Sequence, residues 1–203
     1  MMSEPDDAMA LRVLYPAPKP RALRKVVGHL DGHCARFIAL APFCILSSVG
    51  PGSRPDLSPR GGEPGFVRVV DEQTLLLPDK TGNNRLDNLS NIVANPAVAL
   101  LFMVPGVDET LRVYGAAEIL PGTAFDDEFV PDSRPPTTVL RVTVERAFFH
   151  CAKALMRARL WSEDAKIDRA CLPSMGEIIK DQTQDPAPPE TQEDMVRRYA
   201  KDL

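Results

Sequence analysis

Pro78-Asp79-Lys80-Thr81-Gly82-Asn83-Asn84-Arg85 joins the end of a β-rich run to the start of a helical one. This short stretch holds two long cations, a glycine and two amides. The first N–H groups of a helix lack intrahelical partners and carry the positive end of the macrodipole, so an anion placed before Leu86 would find donors aimed at it. Asn83 or Asn84 can serve as the N-cap. Arg85 can add a bidentate pair of charged hydrogen bonds, and Lys80 a movable point charge. Phosphate is the anion such a seat suits. The same residues could also form an ordinary polar turn, capped by asparagine, with Lys80 and Arg85 in water. Neither G-x-x-x-x-G-K nor G-x-G-x-x-G occurs in the chain, which removes the P-loop and the dinucleotide fold as competing readings.

Outward from this stretch, short β-rich runs predominate: Phe43 to Val49, Gly65 to Val70, Thr74 to Leu77, Val98 to Val104, Thr110 to Leu120 and Thr138 to Phe149. The helix between them runs from Asn84 to Ala94, with Leu86, Leu89, Ile92 and Val93 on one side. Six strands separated mostly by turns predict a closed or nearly closed antiparallel barrel rather than a βαβ sheet. Alternation is clearest where Leu111, Val113 and Gly115 oppose Arg112 and Tyr114, and where Arg141 and Thr143 oppose the apolar residues of Val139 to Val144. Upstream, Leu23, Val26, Val27, Leu30, Cys34, Phe37 and Ile38 recur at helical spacing, predicting one amphipathic helix over Arg21 to Ala39. Short helices are expected at Ile178 to Lys180 and Met195 to Leu203, on either side of a proline-rich linker from Thr183 to Glu190.

The chain has 203 residues, 44% hydrophobic and 26% charged, which is ordinary globular composition with length for one sizeable core. Its formal net charge of −4 provides no global basic field for nucleic acid or an anionic membrane surface, so neither is expected as a partner. No apolar run is long enough to span a bilayer, and Met1 to Ala10 is acidic without the apolar stretch of a signal peptide, so a cytoplasmic location is expected. Cys34, Cys44, Cys151 and Cys171 are widely spaced and read as reduced, mostly buried thiols. The 20 prolines cluster at Pro16 to Pro20, Pro131 to Pro136 and Pro186 to Pro189, bracketing the core. His29 and His33 have a helical metal-ligand spacing but no third ligand, and His150 and Cys151 are neighbours on a strand that would point to opposite faces. No metal site is expected.

A second concentration of charge lies in Lys153-Ala154-Leu155-Met156-Arg157-Ala158-Arg159-Leu160-Trp161, with three cations ahead of the single tryptophan. It reads as a surface meeting an anion or a ring, or as a basic helix whose Trp161 plugs the end of the core.

Three motifs taken in order are more specific than any one of them: Asp56-Leu57-Ser58-Pro59-Arg60-Gly61-Gly62, then Asn83-Asn84-Arg85-Leu86, then Asn95-Pro96. Over residues 43 to 116 this order resembles the FMN-binding split barrel of the pyridoxamine 5′-phosphate oxidase class, closest to a subgroup of FMN-dependent enzymes of unknown substrate. The resemblance implies a mainly β fold with flanking helices, built on a six-stranded antiparallel split β-barrel over residues 21–165. An extension, 1–20, precedes it, and a helical extension, 166–203, follows.

By the same resemblance, FMN lies across a homodimer interface. Its phosphate is at Lys80, Asn84 and Arg85 with Asn83 nearby. Leu76, Leu77, Pro78 and Asp79 run along the ribityl chain, and Ser58, Pro59 and Arg60 border the ring. Arg112 matches the basic residue of the family's Arg-Val-x-Gly strand; it would point to the ligand or stand in water on the polar side of its strand. Lys153, Arg157, Arg159 and Trp161 fall in the segment that reaches over the partner's flavin. The true oxidases carry Arg-x-His near the carboxyl end; here Arg159-Leu160-Trp161 puts tryptophan at the histidine position, which sets vitamin B6 oxidation in doubt. The expectation is an FMN-dependent oxidoreductase acting on an unidentified small molecule. The alternatives are a flavin-binding or redox-sensing protein without turnover, and a split barrel that uses deazaflavin or haem.

Overall fold

The structure is a computed structural model that describes residues 12, 14–80, 82, 84–125, 129, 135–138 and 139–200. The chain divides into two compact units, Met1–Arg157 and Ala158–Leu203. Asn83 and the acidic run Asp126, Asp127 and Glu128 lie outside the described residues.

The first unit is built on one antiparallel sheet. In chain order its strands are β1 (Phe43–Gly50), β2 (Arg54–Gly61), β3 (Arg68–Asp71), β4 (Thr74–Asp79), β5 (Ala97–Met103), β6 (Thr110–Pro121) and β7 (Thr138–His150). They lie in the order β2-β1-β5-β6-β7-β4-β3. Seven strands replace the expected six, and the ladder is open, with β2 and β3 at its edges.

The added strand is β2, hidden in the sequence by Pro55 and Pro59. Its one ladder partner is β1, and the N–H of Leu57 donates instead to Asp56 Oδ1 at 2.9 Å. Leu57 therefore faces the free edge, and Pro55 and Pro59 share its phase, so the two missing donors fall where no partner strand needs them.

Burial follows the pleat. Leu46, Leu100, Phe102, Leu111, Val113, Leu75, Leu77, Leu140 and Val142 are all 2% exposed or less and form the inner face. A β-bulge between Tyr114 and Gly115 brings Gly115 against the β7 backbone, where a Cβ would collide with the Thr143 carbonyl.

The predicted helix over Arg21 to Ala39 is two pieces, α1 (Pro20–Arg24) and α2 (Gly32–Leu40). Val27 is taken into a bridge with Ala147, and the Asp31 carboxylate restarts the helix by accepting from the Cys34 N–H at 2.8 Å. Cys34, Phe37 and Ile38 of α2 reach the core, whereas Leu23 of α1 is exposed. The helix after β4, α3, spans Asp87–Ala94 rather than starting at Asn84. Ile92 is its buried apolar anchor and Leu89 packs against the core, but Leu86 and Val93 are exposed. The other buried side chain of α3 is Asn88, which the apolar spacing did not single out.

The helix α4 (Lys153–Ala158) lies at the boundary between the units. The second unit contains α5 (Met175–Thr183) and α6 (Gln192–Tyr199). Ser174 and Glu177 form a capping box on α5, and Thr191 caps α6. A Cβ at Gly176 would collide with the Glu190 carbonyl, so the chain before α6 passes directly over the start of α5. Of the four thiols, Cys34 and Cys44 are buried while Cys151 and Cys171 are exposed, against the expectation that most would be buried. Among the described residues no helix is long and apolar enough to cross a membrane.

Candidate functional site

Because the sheet is open, its β2 edge and the strand next to its other edge, β4, approach without pairing. The apolar inner face ends there in polar residues. On β2, Asp56, Ser58 and Arg60 share the phase that points inward, with Arg60 across the ladder from Cys44 and Ser58 across from Leu46. On β4 and β7, Asp79 follows the inward Leu77, and Thr138 precedes the inward Leu140. Arg60 and Asp79 form an ion pair across this seam, with side chains 17% and 14% exposed.

A cavity of about 670 Å³ opens at the seam. Asp56, Leu57, Ser58, Pro59 and Arg60 line it from β2, and Asp79, Lys80, Gly82, Asn84 and Arg85 from the end of β4 and the turn beyond. Leu86, Asp87, Asn88 and Leu89 contribute the start of α3, and Thr137 and Thr138 the start of β7.

The turn before α3 is unusual backbone. Asn84 and Leu86 are left-handed, with φ of 57° and 58°. Leu86, not an asparagine, is the N-cap, and among the described residues no side chain caps the helix. Left-handed backbone at a leucine is held against a steric preference of about 1 kcal/mol, a cost such as ligand-binding turns often carry. The N–H donors at the helix start are thereby left to acceptors other than a cap side chain, since Leu86 has none to offer.

What holds α3 in place is polar. The buried Asn88 donates from Nδ2 to Ser48 Oγ at 2.7 Å and to Asp56 Oδ2 at 3.0 Å. Asn91, one turn on, donates to the same Ser48 Oγ at 3.1 Å and to Asp56 Oδ2 at 3.4 Å. Ser48 is itself fully buried. The network ties α3 to β1 and to β2, the strand that supplies one wall of the cavity. Ser48, Asn88 and Asn91 were not singled out by the sequence, and Asp56 only as the first residue of a motif; two amides three apart on a helix were the signal available, and it is weak.

Both arginines of the cavity are already paired with a carboxylate. Arg85 Nε donates to Asp87 Oδ2 at 2.7 Å, an exposed contact that raises the guanidinium's pKa, with Asp87 and then Asp56 adding their charge. Arg60 is shifted the opposite way: burial disfavours its charged form, and the neighbouring Cys44 partly offsets that. Burial pushes the Cys44 thiol up to about 12, so it is protonated at ordinary pH and no nucleophile. An anion entering beside Lys80 and Arg85 therefore competes with a carboxylate one side chain away, not with a desolvated pair.

Of the residues expected at the site, the cavity brings together Ser58, Pro59, Arg60, Asp79, Lys80, Asn84 and Arg85. Leu77 and Pro78 are buried strand residues that do not line it. Arg112 is on the opposite, outward face of the sheet, its guanidinium 5.2 Å from the Tyr114 ring and 5.1 Å from the Phe148 ring. Lys153 and Arg157 are exposed on α4. Arg159 and Trp161 belong to the second unit, where Arg159 approaches Asp164 at 3.6 Å. Thr138 is a cavity residue that sequence reasoning missed.

Comparison with solved structures finds matches over part of this chain. The HupZ protein of Group A Streptococcus matches with 20% identity over 59% of this chain and 92% of its own, at a TM-score of 0.49. An F420 reductase matches with 24% identity over 59% of this chain and 97% of its own, at a TM-score of 0.40. A pyridoxamine 5′-phosphate oxidase-related, FMN-binding protein of Nostoc punctiforme matches with 14% identity over 57% of this chain and 76% of its own, at a TM-score of 0.39. No curated protein matches the sequence. A family model described as pyridoxamine 5′-phosphate oxidase matches residues 30–151, a span that runs from the last residues before α2 to the end of β7 and includes the whole seam. The chain belongs to the pyridoxamine 5′-phosphate oxidase family.

Proposed function

We propose that this protein is an FMN-dependent oxidoreductase acting on a small molecule yet to be identified. The observation that carries the proposal is the meeting, in one cavity, of Ser58, Pro59 and Arg60 from β2 with Asp79, Lys80, Asn84 and Arg85 around the uncapped start of α3. The donor set suits a phosphate ester: backbone N–H groups at a helix start, a guanidinium able to exchange Asp87 for a stronger anion, and a lysine. The polar strand wall opposite suits a hydroxylated chain and a ring with polar edges.

In this reading Lys80, Asn84 and Arg85 hold the phosphate, and Ser58, Pro59, Arg60 and Asp79 line the rest of the cofactor. When bound, FMN supplies the capacity to accept a hydride and pass electrons on. The chain's own residues bind and orient; none of them has to act as a catalytic acid. The Ser48, Asp56, Asn88 and Asn91 network is a positioning device, since it fixes α3, and with it the phosphate seat, against the wall formed by β2.

The proposal includes a homodimer with two equivalent sites. Leu57 is 67% exposed on the outward face of β2, and the register continues from Pro59 through Ile45 and Leu101 to Arg112 and Phe148. Such a row of apolar and stacked side chains across five strands suits a second copy meeting it face to face. Lys153, Arg157, Arg159 and Trp161 are then proposed to reach the partner's cofactor.

The visible spectrum of the purified protein is the test: oxidised flavin bands, with retention of FMN in preference to riboflavin, are expected. A Soret band, or no chromophore together with no FMN binding on titration, would overturn the cofactor assignment. Anaerobic reduction by NADH or NADPH then separates an enzyme from a binding protein. Sedimentation of the FMN complex as a monomer would contradict the dimer.

A further inference from the structure

Among the described residues, two buried polar side-chain atoms at the seam lack hydrogen-bond partners: Arg60 Nε and Thr138 Oγ1. Both residues line the cavity, and they come from opposite sides of it. Arg60 reaches Asp79 across the seam through Nη1, and Asp79 is the ladder partner of Thr138, so all three side chains converge on the mouth of the inner face. Behind them the interior is hydrocarbon and thiol, formed by Leu77, Leu140 and Cys44, each fully buried. The cavity is the open side from which a ligand could supply a partner for the two atoms. A buried polar atom left unmade costs about 1–3 kcal/mol, and native proteins leave few of them. Valine would fill the place of Thr138 in the strand without that cost.

We propose that Thr138 and Arg60 form a second polar contact for the bound cofactor, one that meets a carbonyl edge or a chain hydroxyl and is separate from the phosphate seat. The proposal rests on the flavin reading and deepens it by adding Thr138 as a specificity-determining residue. Arg60 Nε–H needs an acceptor, and the threonine hydroxyl can give or take a hydrogen bond. A ring carbonyl beside an N–H, or a ribityl hydroxyl, satisfies both atoms. A phosphate oxygen satisfies Arg60 as well, but the loop seat already meets that end.

The experiment measures dissociation constants of FMN, riboflavin and lumiflavin for the wild type, Thr138→Val and Thr138→Ser, with urea denaturation of each protein without flavin. Thr138→Val should weaken FMN and riboflavin by the same factor, roughly tenfold. Its stability without flavin should be unchanged or higher, and Thr138→Ser should restore most of the affinity. If lumiflavin weakens equally, the contact is to the ring edge; if lumiflavin is unaffected, it is to the ribityl chain. Unchanged FMN binding by Thr138→Val, or a loss of stability without flavin that Thr138→Ser reverses, would overturn the contact and leave the hydroxyl a structural group. A wild type that binds no flavin would instead remove the flavin reading itself, and this inference with it.

Discussion

The two ends of the cavity are built on different physical terms. At the loop end, the side chains of Arg85 and Asp87 are 73% and 50% exposed, on backbone that turns left-handed at Asn84 and Leu86. At the strand end, Arg60 and Asp79 are withdrawn into the seam on strands fixed by the ladder. An ion pair in water contributes about 0–1 kcal/mol, whereas removing one partner of a buried pair costs about 3–5 kcal/mol because the other charge is stranded. The strand end is thus part of the fold, and the loop end is nearly independent of it. Affinity for an anion can change at the loop without a change in stability, while the Arg60–Asp79 pair at the strand end can hardly lose one partner without one.

The largest expected effect tests the strand end. Asp79→Ala should cost about 3–5 kcal/mol in urea denaturation, since it strands a buried guanidinium. The double variant Arg60→Met/Asp79→Leu should recover most of that loss. A cost for Asp79→Ala below about 1 kcal/mol would mean that the two ends do not differ in kind.

Arg85→Ala sharpens the comparison from the other side. Its stability should stay within about 0.5 kcal/mol of the wild type. Its affinity for FMN should fall roughly tenfold or more while that for riboflavin holds, and the difference should shrink as salt is added. Equal losses for the two flavins would place Arg85 away from the phosphate.

The smallest effect concerns the thiols behind the strand end. Cys44, across the ladder from Arg60, is pushed up to about 12 by burial, and Cys34 to about 11 by burial and Asp31. Their ordinary value is 9.0. Above it the unfolded chain releases thiol protons that the folded chain retains, so stability should fall as pH rises from 9 towards 12. Urea midpoints at rising alkaline pH measure this slope. At neutral pH a thiol reagent should modify Cys151 and Cys171 quickly and the other pair only on unfolding, and faster modification of Cys44 in Asp79→Ala would register the loosened seam.

Much of this fold was legible because strand alternation and the three ordered motifs are local properties of the chain. β5, β6 and β7 follow their alternation closely, and Lys80, Asn84 and Arg85, near one another in the chain, line one cavity. What was not legible is what depends on position in the sheet. Pro55 and Pro59 argue against a strand until β2 is known to be an edge. Leu86 and Val93 look like the apolar side of a helix until the start of α3 is set by Asn88 and Asn91 gripping Ser48 and Asp56. Val27 has helical spacing but is drawn off by Ala147, a residue far along the chain. Thr138 is an ordinary strand threonine unless one sees Arg60 across the seam.

Pro55 and Pro59 also bear on how this sheet meets other chains. An exposed edge strand offers a row of donors and acceptors to any passing strand, and sheets joined edge to edge can grow without limit. Here one border has lost two of its donors and gives a third, Leu57 N–H, to its own Asp56, while the opposite border, β3, is only four residues long. Lateral growth is disfavoured at both borders, and in the proposed homodimer the broad outward face is the surface through which the sheet is joined, in a contact that ends after one partner.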